Sequence, residues 1–200
     1  MLKINLQFFG GRGASSASSG GDPVLGKQGK ARTSEEALSA TNPNYSQGKE
    51  YRVNCQRCVY AYELERRGYD VEALAATMNN NDPMFENRRW QSGFAGQTWE
   101  RNLGTRNTAV EKNIVSQMQN WGDGSRAIGY VAWKGGSAHV FNIENKGGKV
   151  SIFDGQTGKQ HSLSEYLSLS KPSMTMISRV DHLKPNTGVL QYAVKKKGSN

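Results

Sequence analysis

Two hydrophobic periods divide this chain, and their order limits the folds open to it. Cys55, Cys58, Val59 and Tyr62 fall at i, i+3, i+4 and i+7, one face of an α-helix running from Cys55 to Arg67. Asn54 suits its N-cap and Gly68 its stop, while Glu63, Glu65, Arg66 and Arg67 read as solvent-side and terminal charge. A second helical stretch, capped by Thr108, repeats Val110, Ile114, Val115, Met118 and Trp121 and ends at Gly122 and Gly124. The period then shortens to that of strands at Ala127–Trp133, Ala138–Glu144, Lys149–Asp154 and Thr175–Val180, separated by Gly- and Asn-rich breaks. Helices first and antiparallel hairpins afterwards predict an α+β domain over residues 45–187. Residues 79–107, rich in Asn, Gly and aromatic side chains, read as irregular with one short helix near Trp90.

The flanks read differently. Residues 10–21 are a Gly/Ser linker, and residues 1–44 are expected to be mostly disordered, with a short helical turn possible at Ser34–Ala40. Residues 188–200 read as a basic C-terminal tail ending in a solvated Lys195–Lys197 run. Only 36% of the residues are hydrophobic, but all four Trp, both Cys and all three His lie within residues 51–182, so a core can concentrate there. No run of about 18 apolar residues occurs, which excludes a transmembrane helix. The opening nine residues are too short and polar for a signal peptide, so localisation stays open, including delivery into a target cell or carriage in a particle. A formal charge of +9 raises nucleic acid as a partner. The excess is dispersed, however: residues 1–50 carry six Lys/Arg against four Asp/Glu, the lysine run adds three, and the remainder is interleaved with acids. Nucleic-acid binding is therefore not the expected role.

Two cysteines in 200 residues make no disulfide framework. A thiol becomes a good nucleophile once ionised, and the free N–H groups and positive dipole end of a helix N-terminus favour the thiolate. Cys55 falls at the first helical position and Cys58 a turn further in, so position favours Cys55 as nucleophile and suits Cys58 to a buried apolar role. A thioredoxin-type redox pair would need a strand leading into the motif within an alternating β/α chain, and a zinc site would need a second close ligand pair; neither pattern is present. No cofactor or metal is expected. The residue pattern alone leaves catalysis, an inert core thiol and a redox or metal pair open.

The hairpin adds a partner. With a two-residue turn at Lys146-Gly147, paired residue numbers sum to 293 and His139 faces Asp154. With the turn one residue later the sum is 295 and His139 faces Gln156. Either partner could orient the ring, and a carboxylate beside an imidazole fixes its tautomer and stabilises the imidazolium. His161 and His182 have no comparable setting and read as surface residues.

Arg-Val-Asn-Cys-Gln-Arg-Cys-Val-Tyr-Ala-Tyr-Glu-Leu-Glu-Arg-Arg-Gly at 52–68 resembles the opening of papain-fold toxin domains, described as glutamine deamidases or peptidases of bacterial polymorphic toxins and some phage-associated proteins. Gly-Ser-Ala-His-Val-Phe-Asn-Ile-Glu-Asn at 136–145 and Val-Ser-Ile-Phe-Asp-Gly-Gln-Thr-Gly at 150–158 resemble that family's His and Asp motifs, with Gly155 where a proline is common. The resemblance covers about residues 45–185. It implies a papain-like α+β fold, an N-terminal catalytic helix packed on an antiparallel sheet, with Cys55 as nucleophile, His139 as base and Asp154 as the acidic member. It further implies a cysteine-dependent hydrolase acting on a protein substrate, with a cognate immunity protein as a possible partner. Oxyanion donors would come from the Cys55 backbone N–H and the side chain of Gln47 or Asn54, and Trp90, Trp99 and Trp133 are candidates to line a groove. The first dozen residues resemble the start of phage structural proteins, which suggests a phage particle or secretion apparatus as a carrier. Two other readings stand beside a deamidase: a peptidase or isopeptidase, and a non-enzymatic phage-particle scaffold.

Overall fold

The computed structural model describes residues 21–198. The apolar-polar cluster at 2–9, the phage-like start and nearly all of the Gly/Ser linker lie outside them. Five antiparallel strands form the main sheet in the order β5-β4-β3-β2-β6: β2 (Arg126–Ala132), β3 (Ala138–Lys146), β4 (Lys149–Asp154), β5 (Lys159–His161) and β6 (Met176–Arg179). Helix α2 (Cys55–Arg66) packs on one face, and α3 (Asn107–Trp121) with α4 (Leu163–Ser168) covers the other. Alternation explains the two layers. Val140, Asn142 and Glu144 of β3 point toward α2, whereas Phe141 and Ile143 join Val110, Ile114 and Met118 of α3. Helix α3 begins at Asn107 behind Arg106, which makes no side-chain cap, so Thr108 is not the cap the sequence predicts. Its C-terminal end is held instead by Asn145, whose Nδ2 donates to the carbonyls of Met118 and Gly122.

The β3–β4 register follows the second of the two expected hairpins. Ile143 pairs with Ile152 and Lys146 with Lys149, so the turn is Gly147-Gly148, both at positive φ (59° and 84°). A turn at Lys146-Gly147 would put a lysine in the left-handed region that glycine occupies freely. The shift by two residues leaves every side chain on its expected face.

Helix α2 departs most from its sequence reading. Tyr60, Ala61, Tyr62, Glu63, Leu64 and Glu65 are all fully buried, so the helix has no solvent face over these residues. Its outer side is covered by elements from both predicted tails. Helix α1 (Ser34–Thr41) packs against it, started by a capping box in which Thr33 Oγ1 accepts from Glu36 N and Glu36 returns to Thr33 N. Strand β1 (Val71–Ala73) pairs with β7 (Val194–Lys196), preceded by α5 (Thr187–Leu190). Residues 21–44 and 188–198 are thus part of the packed structure, where disorder and a solvated tail were expected. An eight-residue helix and a three-residue strand are too short to persist alone and become stable by packing, which local sequence does not display.

The charges on α2 are enclosed rather than solvated. Glu63 accepts from Arg67 Nε at 2.8 Å and from Arg126 Nε and Nη2 at 2.7 and 2.9 Å. Glu144 of β3 accepts from Tyr62, Arg66 and Ser34. Glu65 meets Arg32 and accepts from Lys197 Nζ at 2.6 Å, and Lys195 pairs with Glu72 at 3.1 Å, so two members of the predicted lysine tail are ion-pair partners. Among the described residues no helix is long and apolar enough to cross a membrane.

Candidate active site

Asn54 starts α2, but through its backbone: its carbonyl accepts the N–H groups of Arg57 and Cys58 at 2.9 and 3.1 Å. Its buried side chain donates to Leu74 O (3.0 Å) and takes the Cys58 thiol on Oδ1 (3.2 Å), with no side-chain cap. Asn54 is therefore committed to holding the loop and is not placed to donate to a ligand. The N–H groups of Cys55 and Gln56 have no partner among the described residues, the usual state of the first turn of a helix. Gln47, the other candidate donor, is exposed and does not line the cleft described next.

Cys55, 7% exposed, opens into a cavity of about 160 Å³ shared with His139. Gln56 and Tyr130 help line it, with Ala138 and Val140 at the start of β3, and Phe85 and Trp90 come from the irregular 79–107 segment. A cavity of about 150 Å³ holds a molecule of benzene size, so this one suits a single side-chain end group with part of its stem. Of the three tryptophans expected in a groove, only Trp90 lines it. Trp99 packs edge-on behind Trp90, and Trp133 stacks on the His139 ring at 6.2 Å.

His139 sits at the start of β3, its ring among Trp133, Phe141 and Tyr166. Its Nε2 lies 3.3 Å from Asp154 Oδ1, close enough for an ion pair but without hydrogen-bond alignment. Asp154 stands diagonally from His139, since its extrapolated register partner is Phe141. The Asp154 carboxylate also accepts from Gln156 N (3.0 Å), Thr157 Oγ1 (2.8 Å) and Tyr166 OH (2.8 Å). Burial alone would lower the His139 pKa, but Asp154 and then Cys55 outweigh it and raise it from 6.5 to about 10. Burial would raise that of Asp154, and His139, Tyr166 and Thr157 overcome this to bring it down to about 2. Together these shifts favour an imidazolium–carboxylate pair at neutral pH. Cys58 is different: burial first, then the neighbouring Cys55 and Asp154, push its thiol well above the ordinary range.

Tyr166 was not anticipated from sequence; only the packing of α4 brings it to Asp154. Gly155 also gains a reason. A Cβ there would lie 2.8 Å from Thr41 Cγ2 and 3.3 Å from the Cys58 carbonyl, so α1 packs into the space where the resembling family commonly has a proline. His161 bonds Glu165 through Nδ1 at 3.1 Å and packs on Tyr166, and His182 is exposed; neither lines the cavity. No cluster of three or more His, Cys, Asp or Glu that could hold a metal occurs among the described residues.

The model of a family described as papain fold toxin 1, glutamine deamidase, matches residues 53–159, a span that contains Cys55, His139 and Asp154. No curated protein and no solved structure matches the chain. A match over more than half of the chain, on an α2-against-antiparallel-sheet architecture, makes this protein a member of the papain-fold toxin family of glutamine deamidases, hydrolase-type enzymes.

Proposed function

We propose that this protein deamidates glutamine side chains of a target protein through a Cys55-His139-Asp154 triad. The observation that carries this reading is the single cavity shared by Cys55 and His139, with Asp154 3.3 Å behind the ring. The Cys55 thiolate attacks the carboxamide carbon and forms the C–S bond, and the oxyanion is met by the free N–H of Cys55 at the positive end of α2. The His139 imidazolium gives its proton to the nitrogen, the C–N bond breaks and ammonia leaves, so a thioester remains. Neutral His139 then takes a proton from water, whose oxygen attacks the thioester. The thiolate departs and the imidazolium is restored, while the new carboxyl group loses its proton to the released ammonia and becomes glutamate. Asp154 acts on the ring, holding it in place and stabilising its charge.

Peptidases and isopeptidases share the acyl-enzyme step, so the decisive measurement is the product. Incubation with a Gln-containing protein is expected to release ammonia and add one dalton per site without chain cleavage. Cys55→Ala should abolish this, by on the order of 10⁴-fold or more, while Cys58→Ala retains it. Iodoacetamide near neutral pH should label Cys55 and spare Cys58. Equal, slow labelling of both thiols would sink the nucleophile assignment, and cleavage without ammonia would move the protein to the peptidases. A cognate immunity protein would inhibit by covering this cavity, and co-incubation with it should block both labelling and ammonia release.

A further inference from the structure

The Cys55 cavity does not end at the reaction centre. Trp90 and Tyr130, stacked 5.3 Å apart, border both it and a neighbouring hollow of about 300 Å³. Arg88, Arg101, Ser173 and Met174 line this second space, and no carboxylate does. Its two arginines are unlike most others in the fold. Arg32, Arg57, Arg66, Arg67, Arg89, Arg126 and Arg179 each meet an Asp or Glu. Arg88 and Arg101 are exposed and have no carboxylate partner among the described residues.

The backbone presents Arg88 at a cost. Asn87 and Arg88 lie consecutively at φ 50° and 56°, in the left-handed region that non-glycine residues rarely adopt. Such conformations persist where the surroundings enforce them, often at ligand clamps. Here the flanking residues are tied down: Trp90 N donates to Met84 O, Trp90 O accepts from Tyr60 OH at 2.7 Å, and Arg89 pairs with Glu86. Arg, Trp, Tyr and Met, which meet in this hollow, are the residue types enriched at protein–protein interface cores. Met174 adds an apolar surface that is 49% exposed.

We infer that the Arg88–Arg101 hollow docks an acidic stretch of the target protein, adjacent in sequence to the glutamine whose side chain enters the Cys55 cavity. The inference rests on the amidohydrolase reading above and names its substrate class. Each guanidinium offers paired donors to a carboxylate, and the net positive chain favours encounter with an acidic partner.

The test uses full-length Cys55→Ala protein and labelled peptides with one central glutamine, flanked on one side by Asp/Glu, by Ser or by Lys, and reads binding by fluorescence anisotropy. The acidic peptide is expected to bind about tenfold tighter than the Ser peptide, with the preference fading at about 0.5 M salt, where screening is strong. Adding Arg88→Asn, which tolerates the left-handed backbone, together with Arg101→Gln should level the peptides, and Arg101→Glu should turn the preference toward Lys. Equal binding of acidic and Ser peptides overturns the inference. An oligonucleotide of the same charge competing as well as the acidic peptide also overturns it, because the hollow would then read polyanions rather than a protein segment. Ammonia release by the unmodified protein separates the two readings. Acidic preference without ammonia from any peptide removes the amidohydrolase assignment and leaves the subsite, whereas ammonia without preference does the reverse.

Discussion

The two ends of α2 differ in what lies beside their buried charges. At its C-terminal end, buried charge is saturated: Glu63 holds Arg67 and Arg126, Glu65 holds Arg32 and Lys197, and Glu144 takes Arg66, Tyr62 and Ser34. At its N-terminal end Arg57 is likewise closed by a bidentate pair with Asp82 at 2.9 and 2.8 Å, but the cavity beside it leaves a buried polar atom open. Gln56 Oε1 has no hydrogen-bond partner among the described residues, nor does Gln156 Nε2 on the strand-end turn after Asp154, whereas His139 Nε2 meets Asp154 as an ion pair at 3.3 Å. Buried polar groups are nearly always paired, so the open Gln56 Oε1 on the cavity wall marks where a ligand's donor would complete the set. One helix thus joins an anchor, which fixes its position on the sheet, to the end where the proposed chemistry lies.

The largest break in this comparison should come at the anchor. Glu63→Ala leaves the guanidiniums of Arg67 and Arg126, 13% and 16% exposed, without their shared carboxylate. Removing one partner of a buried ion pair costs about 3–5 kcal/mol, read as a lowered urea midpoint at unchanged slope. Ammonia release per folded molecule should hardly change. A loss under about 1 kcal/mol would mean that the network contributes little and the helix is held by its apolar contacts alone.

Asp154→Asn comes next, and its effect should be chemical. Asparagine can still accept from Tyr166 and Thr157, so the fold survives, but the imidazolium loses its counter-charge. The expected loss in kcat is on the order of 10²-fold, about 2.7 kcal/mol. The pH profile gives the sharper reading. On the proposed mechanism His139 is the general acid; with its pKa raised to about 10, that acid is lost as pH climbs through that value, and Asp154→Asn should move this alkaline limb downward. Stability is linked in the same way. His139 is raised, so its contribution is full below 6.5 and lost as pH rises through about 10. Asp154 is lowered, so its contribution is full above 3.8 and lost as pH falls through about 2. The pair stabilises fully only between those inner values, and denaturation across pH should show the acid limb vanish and the alkaline limb shrink in Asp154→Asn, since Cys55 still favours the imidazolium. An alkaline limb that stays in place would show that Asp154 does not act on His139.

How much of this was legible depends on how local the determinants are. The Cys55 helix start, the strands and the shared face of His139 and Asp154 follow from period and position. The register depends on which residues make a two-residue turn, and Gly147-Gly148 satisfies the φ > 0 requirement without a lysine, a preference that residue type alone displays. Thr33 and Glu36 likewise spell a capping box. What could not be read is long-range. The burial of Glu63 and Glu65 depends on Arg126 and Lys197, the order of residues 194–196 depends on pairing with Val71–Ala73, and Tyr166 reaches Asp154 from a separate helix. Asn54 misled for a related reason: as a residue type it is a good cap, but Leu74 and Cys58 claim its side chain.

The smallest effect should have the opposite sign. Gln56 lines the cavity beside Cys55, and its Oε1 is buried without a donor. Gln56→Leu removes an unsatisfied acceptor and places an apolar side chain in a cavity shared with Phe85 and Trp90, which should leave stability unchanged or raise it by up to about 1 kcal/mol. The same change should raise KM for a glutamine peptide several-fold with less effect on kcat, because the carboxamide N–H of the substrate loses an acceptor at the cavity wall. At the anchor, then, substitution weakens the fold and spares the chemistry; at the working end it spares or strengthens the fold and weakens recognition. A Gln56→Leu protein that is both less stable and fully active would show that the open acceptor belongs to the structure, and that the two ends of the helix do not differ in kind.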